Sequence, residues 1–179
     1  MEHFEERIDG EIKYKGVIVT VRLDRARLEN GKIVKREVVE HPGGVTVLPI
    51  DDEGYCYMVR QFRYCFGRTL LEAPAGKLEY GEDPTEAAIR ELSEETGFTS
   101  EKLVSLGRCF TSPGFSCEVL HLYLALGLKS GQCHPDEDEF LDVEKIHISK
   151  LLEMAENNEL EDAKTQIAVL RAVKYLNNH

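Results

Sequence analysis

The sequence contains no long apolar stretch. No run approaches the roughly 18 apolar residues that a membrane-spanning helix needs. The first residues, MEHFEERIDGEIKYKG, are charged where a secretion signal would be apolar. We therefore expect a protein that neither enters a membrane nor is exported, and that works in the cytoplasm.

Cysteine is present but is not arranged as a framework. The five cysteines form no C-x-x-C pair, and no H-x-x-x-H pattern accompanies them: Cys56, Cys65, Cys109, Cys117 and Cys133. This spacing indicates neither a zinc knuckle nor a set of disulfides. Reduced thiols in the cytoplasm are the expectation.

Positive charge is scarce. Lysine and arginine number 22 against 33 aspartates and glutamates, which gives a formal net charge of -11. Because like charges repel, this balance argues against broad attraction to nucleic acid or to an anionic membrane. A metal site could still reverse the local field.

The chain is long enough for one domain with a real core. It has 179 residues, of which 42% are hydrophobic. Between residues 11 and 40, the partly alternating runs VIVTVRLDRARL and KIVKREVVEH flank the turn residues ENG, a pattern typical of a β-hairpin. We place a boundary near Pro42, so that residues 1–42 form a β-sheet extension and residues 43–179 the main domain.

The rest of the sequence predicts a mixed α/β domain. The predicted strands are VTVLPI, YCYMVRQFRY, TLLEAPAG, KLVSLGRCF, EVLHLYLALGL and residues 141–148, and the predicted C-terminal helices are residues 149–157 and 162–176.

A further helix has ends that the sequence marks clearly. Asp83 suits the N-cap, Pro84 the first helical position, Glu86 a capping-box spacing and Gly97 the C-terminal stop. Its mostly apolar face is predicted to pack on the sheet and comprises Thr85, Ala88, Ile89, Leu92 and Thr96.

Three acidic side chains crowd one side of this helix. Glu91, Glu94 and Glu95 are neighbours at i, i+3 and i+4 spacing, which costs a few tenths of a kcal/mol for each like-charged pair unless a counter-charge intervenes. A hard divalent cation such as Mg²⁺ or Mn²⁺ is a natural counter-charge for carboxylates, and such a cluster can hold more than one ion. A solvated acidic face is the simpler alternative.

The spacing around these acids favours the metal interpretation. From Gly76 the order is five residues, Glu82, seven residues, Arg90-Glu91-Leu92, one residue, Glu94-Glu95, one residue and Gly97-Phe98. This segment resembles the signature of the Nudix hydrolase family at every specified position. The resemblance implies an α/β/α sandwich with a mixed sheet, and hydrolysis of a nucleoside diphosphate linked to another group.

The same resemblance implies the metal site. Its ligands would be Glu91, Glu94, Glu95 and the backbone carbonyl of Ala75, and they would bind two or more Mg²⁺ or Mn²⁺ ions. Glu94 and Glu95 would thereby also serve catalysis. Arg90 and Glu82 would be structural, because the arginine pairs with acids and so holds the metal carboxylates in place.

Segments outside the signature resemble the ADP-ribose pyrophosphatase branch of that family. Pro113, in TSPGF, lies fifteen positions after Phe98, and the segments REVVEH, RQFRY, LEAPAGKLE, GFSCEVLHLYLA, DEDE and DAKT follow the same order. Alone, Ser-Pro-Gly is an ordinary turn. The resemblance implies that ADP-ribose is split into AMP and ribose 5-phosphate, and that the protein is a homodimer with exchanged N-terminal sheets.

Substrate contacts are implied by the same matches. Arg63 would grip the diphosphate, which suits the forked guanidinium donors, although a plain surface arginine is the alternative. The residues implied at the nucleobase, across the dimer, are Arg36 and Glu37. Those implied around the diphosphate and terminal ribose are Lys77, Ser112, Pro113, Gly114 and Glu118. Cys117 stands where the branch often has an acid, which leaves the sugar preference open.

The acidic loop HPDEDEF would supply the remaining chemistry. Hydrolysis needs a base for the attacking water, and a mobile lid can bring one in. The resemblance implies Glu137 as the general base and Glu139 as a supplementary metal ligand, with a shift of one or two positions also open. Alone, such an acidic run is more often a solvated loop.

Three other functions are alternatives to this one. A broader nucleoside diphosphate sugar hydrolase would use GDP-mannose or ADP-glucose, and no residue excludes it. A nucleotide-sensing module without catalysis would usually lack some of the acids, all of which are present here. Hydrolases of oxidised nucleoside triphosphates typically lack the N-terminal sheet.

The exposed edge of the predicted N-terminal sheet also favours a homodimer on physical grounds.

Overall fold

The chain begins with a three-stranded antiparallel sheet. In the computed structural model, which describes residues 3–131 and 140–179, the strands are β1 (Glu5–Lys15), β2 (Thr20–Leu28) and β3 (Ile33–Glu40), in the order β1-β2-β3. The predicted hairpin is confirmed as β2 and β3, and Gly31 in its turn has a positive φ of 81°.

Strand β1 extends further towards the N-terminus than the sequence pattern indicated. It begins at Glu5, whereas the alternation used for the prediction starts near residue 11. Charged residues occupy this part of the strand and pair across it: Arg25 donates to Asp9 at 2.8 Å and Arg27 to Glu6 at 2.8 Å. Because these exposed residues give no apolar alternation, β1 is specified by its backbone pairing with β2 and by cross-strand charge.

In the part of the chain that the structure describes, seven strands follow and form two further sheets. They are β4 (Gly44–Pro49), β5 (Tyr55–Arg63), β6 (Arg68–Glu72), β7 (Ala75–Lys77), β8 (Phe98–Phe110), β9 (Val119–Ser130) and β10 (Leu141–His147). One sheet has the order β7-β4-β9-β8 and the other β10-β5-β6. β4 and β9 pair in parallel, while β4 with β7, β5 with β6 and β5 with β10 are antiparallel.

Helices α1 (Pro84–Thr96), α2 (Ile148–Glu156) and α3 (Ala163–Leu176) agree with the predicted helices to within one residue. They cover two faces of the sheet that contains β4. Val45 and Val47 share one core cluster with Leu92 of α1. Leu48, which points the other way because side chains alternate along a strand, shares another with Leu151 of α2 and with the buried face of α3. The predicted α/β/α layering is confirmed.

The chain divides into two compact units. One comprises Met1–Gly43 with Phe110–Val119, and the other Gly44–Cys109 with Leu120–His179. Within the first unit, the later segment is bound to β3: Val39 N–H donates to Phe115 O at 2.8 Å, and Cys117 N–H to Val39 O at 2.9 Å. Among the helices of the described residues, none is long and apolar enough to cross a bilayer.

Candidate active site

Helix α1 is held at both ends by the predicted caps. Asp83 Oδ1 accepts hydrogen bonds from Thr85 N–H at 2.8 Å and Glu86 N–H at 3.3 Å. Gly97 takes a left-handed φ of 71° and donates to Ser93 O at 2.9 Å. Hydrogen bonds from the backbone of Thr85 and Glu86 also keep the pKa of Asp83 below its ordinary value. The helix that carries the acidic cluster therefore has a fixed start and end.

The buried face of α1 differs from the predicted one. Ala88 and Leu92 are buried as expected, but Thr85 is exposed and Ile89 is 49% exposed. The buried arc instead extends towards the acidic side and includes Glu91 and Glu95, which are only 7% and 1% exposed. The apolar pattern did not predict this, because it took only the mostly apolar side of the helix as the packed face.

These two buried carboxylates lie against the backbone of β7. Ala75 N–H donates to Glu95 Oε2 at 3.1 Å. The Glu91 carboxylate occupies the space beside Gly76 where any other residue would place its Cβ. A side chain at position 76 would therefore displace Glu91, which explains in physical terms why the signature has glycine there.

Arg90 is the positive charge at the centre of the cluster. Its Nε donates to Glu82 Oε1 at 3.0 Å, and its Nη1 donates to Glu91 Oε1 at 2.8 Å and to Glu94 Oε2 at 2.9 Å. The hydrogen bond with Glu82 is the main reason that the pKa of Arg90 is raised. The same bond lowers the pKa of Glu82. The expected pairing of Arg90 with these acids is present.

Arg90 bridges the carboxylates of the cluster. It pairs with Glu82, Glu91 and Glu94 at the same time. Among the described residues, no three carboxylate, imidazole or thiol groups converge as a ready metal cage. The chemistry of the donors nevertheless fits a hard divalent cation, because all are carboxylate oxygens with a backbone carbonyl nearby.

A second charged network surrounds Arg63 at the end of β5. Its Nε and Nη2 donate to the two oxygens of Glu72 at 2.7 and 2.6 Å, in the paired geometry typical of arginine and carboxylate. Glu72 is only 1% exposed and also accepts from Lys164 Nζ. Burial raises the pKa of Glu72, but the hydrogen bond from Arg63 and the charge of Lys164 outweigh it and bring that pKa below its ordinary value.

Glu72 and Lys164 were not assigned roles from the sequence, although both lie in the quoted segments LEAPAGKLE and DAKT. The available signal was the position of Glu72. It is an acid that ends the apolar strand segment TLL, where a buried charge requires a partner. Lys77, another predicted substrate residue, lies at the end of β7 and is exposed.

The N-terminal unit contains the other predicted substrate residues. Arg36 and Glu37 lie on β3, where Arg36 pairs with Glu5 through two hydrogen bonds of 2.9 and 2.7 Å. Ser112, Pro113 and Gly114 belong to a turn in which Ser112 O accepts from Phe115 N–H at 3.1 Å.

Glu118 follows that turn in the same unit. It accepts from Thr111 Oγ1 at 2.6 Å and lies 3.5 Å from His41 Nδ1. The predicted base and supplementary ligand, Glu137 and Glu139, fall outside the described residues.

Comparison with known proteins identifies similar chains across almost the whole length. The model of the NUDIX domain matches residues 40–169. An ADP-ribose pyrophosphatase of Bacillus subtilis is 44% identical over 172 residues, which is 94% of this chain and 93% of that protein. A methanol dehydrogenase activator of Bacillus methanolicus is 43% identical over 93% of this chain and 91% of its own length.

Two further comparisons extend this result. A GDP-mannose pyrophosphatase of Salmonella arizonae is 31% identical over 76% of this chain and 77% of that protein. The crystal structure of an ADP compounds hydrolase matches 97% of this chain and 95% of its own, with a TM-score of 0.86 and 22% sequence identity. At that identity, the structural match shows a shared fold.

Proposed function

The chain belongs to the NUDIX family, and from this membership we infer that it hydrolyses the pyrophosphate bond of ADP-ribose. The products are AMP and ribose 5-phosphate. The oxygen of one water forms a bond to one phosphorus, and the bond between the bridging oxygen and that phosphorus breaks, so each product keeps one phosphate. The observation that carries this proposal is the pair of buried carboxylates, Glu91 and Glu95, packed on the β7 backbone.

A divalent cation, Mg²⁺ or Mn²⁺, is the cofactor we propose, with two or more ions in each site. Glu91, Glu94, Glu95 and the carbonyl of Ala75 would hold them, with Glu139 as a supplementary ligand. The chemistry that such ions supply when bound is neutralisation of diphosphate charge and acidification of a water molecule. Arg90 can keep both of its contacts to Glu82 while its Nη1 releases Glu91 and Glu94, so the arginine stays in place when a cation competes for those two acids.

The remaining roles are those that the family resemblance implies. Arg63 binds the diphosphate, since its pairing with Glu72 engages two of its five N–H donors and leaves others for phosphate oxygens. Lys77, Ser112, Pro113, Gly114 and Glu118 line the diphosphate and terminal ribose. Arg36 and Glu37 reach the nucleobase, and Glu137 removes the proton of the attacking water.

We also propose that the protein is a homodimer with exchanged N-terminal sheets. In the sheet order β1-β2-β3, β1 is an outer strand, and Ile12 and Tyr14 on it are 61% and 60% exposed. Exposed apolar side chains on a sheet edge are typical of a surface that a partner covers. Cys56, Cys65 and Cys117 carry free thiols, which suits a reducing compartment, so we place the reaction in the cytoplasm.

A second candidate is a broader nucleoside diphosphate sugar hydrolase. The GDP-mannose pyrophosphatase relative favours it, and the relatives with 44% and 43% identity carry different names. A substrate panel separates the candidates: ADP-ribose, ADP-glucose and GDP-mannose are each incubated with Mg²⁺ or Mn²⁺, and phosphate is measured after phosphatase treatment of the products. We expect kcat/KM to be highest for ADP-ribose. Equal values for ADP-ribose and GDP-mannose would support the broader activity.

A further inference from the structure

The N-terminus of α3 is tied to the ends of two strands by buried polar groups. Glu72 ends β6 and accepts from both Arg63, which ends β5, and Lys164 in the first turn of α3. Lys164 Nζ also donates to Asp162 Oδ2 at 3.0 Å. The side chains of Glu72 and Lys164 are only 2% and 12% exposed. Two cationic and two anionic side chains therefore form one connected network.

Asp162 fixes the position of this network within the fold. It caps α3 by accepting from Thr165 N–H at 3.0 Å and from Thr165 Oγ1 at 2.5 Å. Thr165 Oγ1 in turn accepts from Ala73 N–H at 2.8 Å, and Thr165 is fully buried. Lys164 is thus held on a helix whose start is locked to the strand end that carries Glu72. Such a network of paired charges is rigid, because breaking one contact deprives the buried Glu72 carboxylate of a partner.

The network has a consequence for Arg63. An arginine at the end of a strand, 37% exposed in its side chain, would otherwise sample several rotamers. The two hydrogen bonds to Glu72 fix the guanidinium plane, and Lys164 Nζ holds Glu72 by donating to Oε2 of the same carboxylate. The donors of Arg63 that Glu72 does not engage are then held in one direction before a ligand arrives.

We propose that Lys164 and Asp162, acting through Glu72, are positioning residues that hold the Arg63 guanidinium in the orientation that binds the substrate diphosphate. This inference rests on the proposed function. It gives the segment DAKT a role in the reaction without direct contact with the reacting atoms.

A double-mutant cycle on steady-state kinetics tests the proposal. The variants are Arg63→Ala, Lys164→Met and the double variant, with ADP-ribose as substrate and Mg²⁺ at saturation. Arg63→Ala should raise KM about 10- to 100-fold, because it removes charge-assisted hydrogen bonds to phosphate. Lys164→Met should raise KM about tenfold, with kcat within about threefold of wild type. In the double variant, KM should equal that of Arg63→Ala alone, since Lys164 acts through Arg63.

The control is Lys150→Met, at an exposed helical lysine whose Nζ pairs with Glu153 on the surface of α2. It should leave both kinetic constants unchanged. Circular dichroism and the thermal midpoint are measured for every variant. If Lys164→Met does not fold, Lys164→Gln, which keeps a polar donor in the same space, replaces it with the same expectation of a non-additive rise in KM.

Three results would overturn the inference. The first is multiplication of the two KM effects in the double variant, which would mean that Lys164 acts independently of Arg63. The second is a wild-type KM in Arg63→Ala. In both cases wild-type turnover of ADP-ribose leaves the proposed function intact. The third is a wild-type protein that cleaves no nucleoside diphosphate sugar, which would remove the proposed function and this role together.

Discussion

At Gly76, the missing side chain provides the space that the Glu91 carboxylate occupies. The signature contains this glycine but does not explain it, because the reason is a contact between a strand and a helix fifteen residues apart in the chain. The burial of Glu91 and Glu95 could not be predicted for the same reason. It depends on the β7 backbone, where Ala75 N–H donates to Glu95.

Gly76→Ala tests this contact. The new Cβ would overlap the end of the flexible Glu91 side chain, which can swing away, so the free energy of unfolding should fall by no more than about 1 kcal/mol. Turnover should fall at least about tenfold, because a displaced carboxylate no longer has the geometry required of a metal ligand. Urea unfolding and ADP-ribose hydrolysis are the two measurements.

Gly114→Ala serves as the control for stability in that experiment, because no heavy atom lies within 4 Å of its added Cβ. It should unfold at the wild-type urea concentration. Full activity of Gly76→Ala would show that the position of Glu91 is not needed for the reaction.

Among the secondary-structure elements, those with local sequence signals were predicted correctly, and those that depend on distant partners were not. The ends of α1 were predicted correctly because Asp83, Pro84 and Gly97 are local signals. The buried face of α1 and the start of β1 were not, since both are set by partners elsewhere in the chain. Arg25 and Arg27 of β2 pair with acids of β1 that a strand pattern based on apolar alternation does not recognise.

The network that joins β5, β6 and α3 predicts a pH dependence of stability. The pKa of Glu72 lies below its ordinary value of 4.5 in the folded chain, so unfolding raises that pKa and takes up protons in acid. The stabilisation is complete above about pH 4.5 and is lost as the pH falls through the lowered folded value. The free energy of unfolding of the wild type should therefore decline more steeply below about pH 4.5 than that of Glu72→Gln.

Urea unfolding at a series of pH values measures this difference, with both proteins in the same buffers. Glu72→Gln should be the less stable protein at neutral pH, because the positive charges of Arg63 and Lys164 lose their shared buried partner. Parallel curves for the two proteins across the acid range would contradict the assigned charge state of Glu72.

For the whole molecule, the α/β/α layering and the small N-terminal sheet followed from strand and helix patterns that the family resemblance ordered correctly. The strand and helix patterns did not predict every segment of the two units. The segment Phe110–Val119 belongs with the N-terminal sheet although it lies far along the chain. Its attachment depends on backbone hydrogen bonds to Val39, which leave no trace in composition or periodicity.

The proposed homodimer predicts a mass in solution of twice the 20.3 kDa of one chain. Multi-angle light scattering at micromolar concentration measures it directly. Ile12→Lys combined with Tyr14→Lys should shift the protein towards the monomer, because charge would replace exposed apolar groups on the outer strand. A wild-type monomer under the same conditions would exclude the dimer, and with it a nucleobase site that takes Arg36 and Glu37 from a second chain.

The central claim is that the acids of α1 support cation-dependent cleavage of a diphosphate, and turnover of ADP-ribose by wild type and Glu95→Gln tests it most directly. Glutamine keeps an oxygen that can accept from Ala75 N–H, so the fold is preserved while one negative charge is lost. Wild type with Mg²⁺ should release AMP and ribose 5-phosphate in equal amounts and stop when EDTA is added. Glu95→Gln should be slower by about a hundredfold or more. Undiminished turnover by Glu95→Gln, or by wild type in EDTA, would contradict the claim.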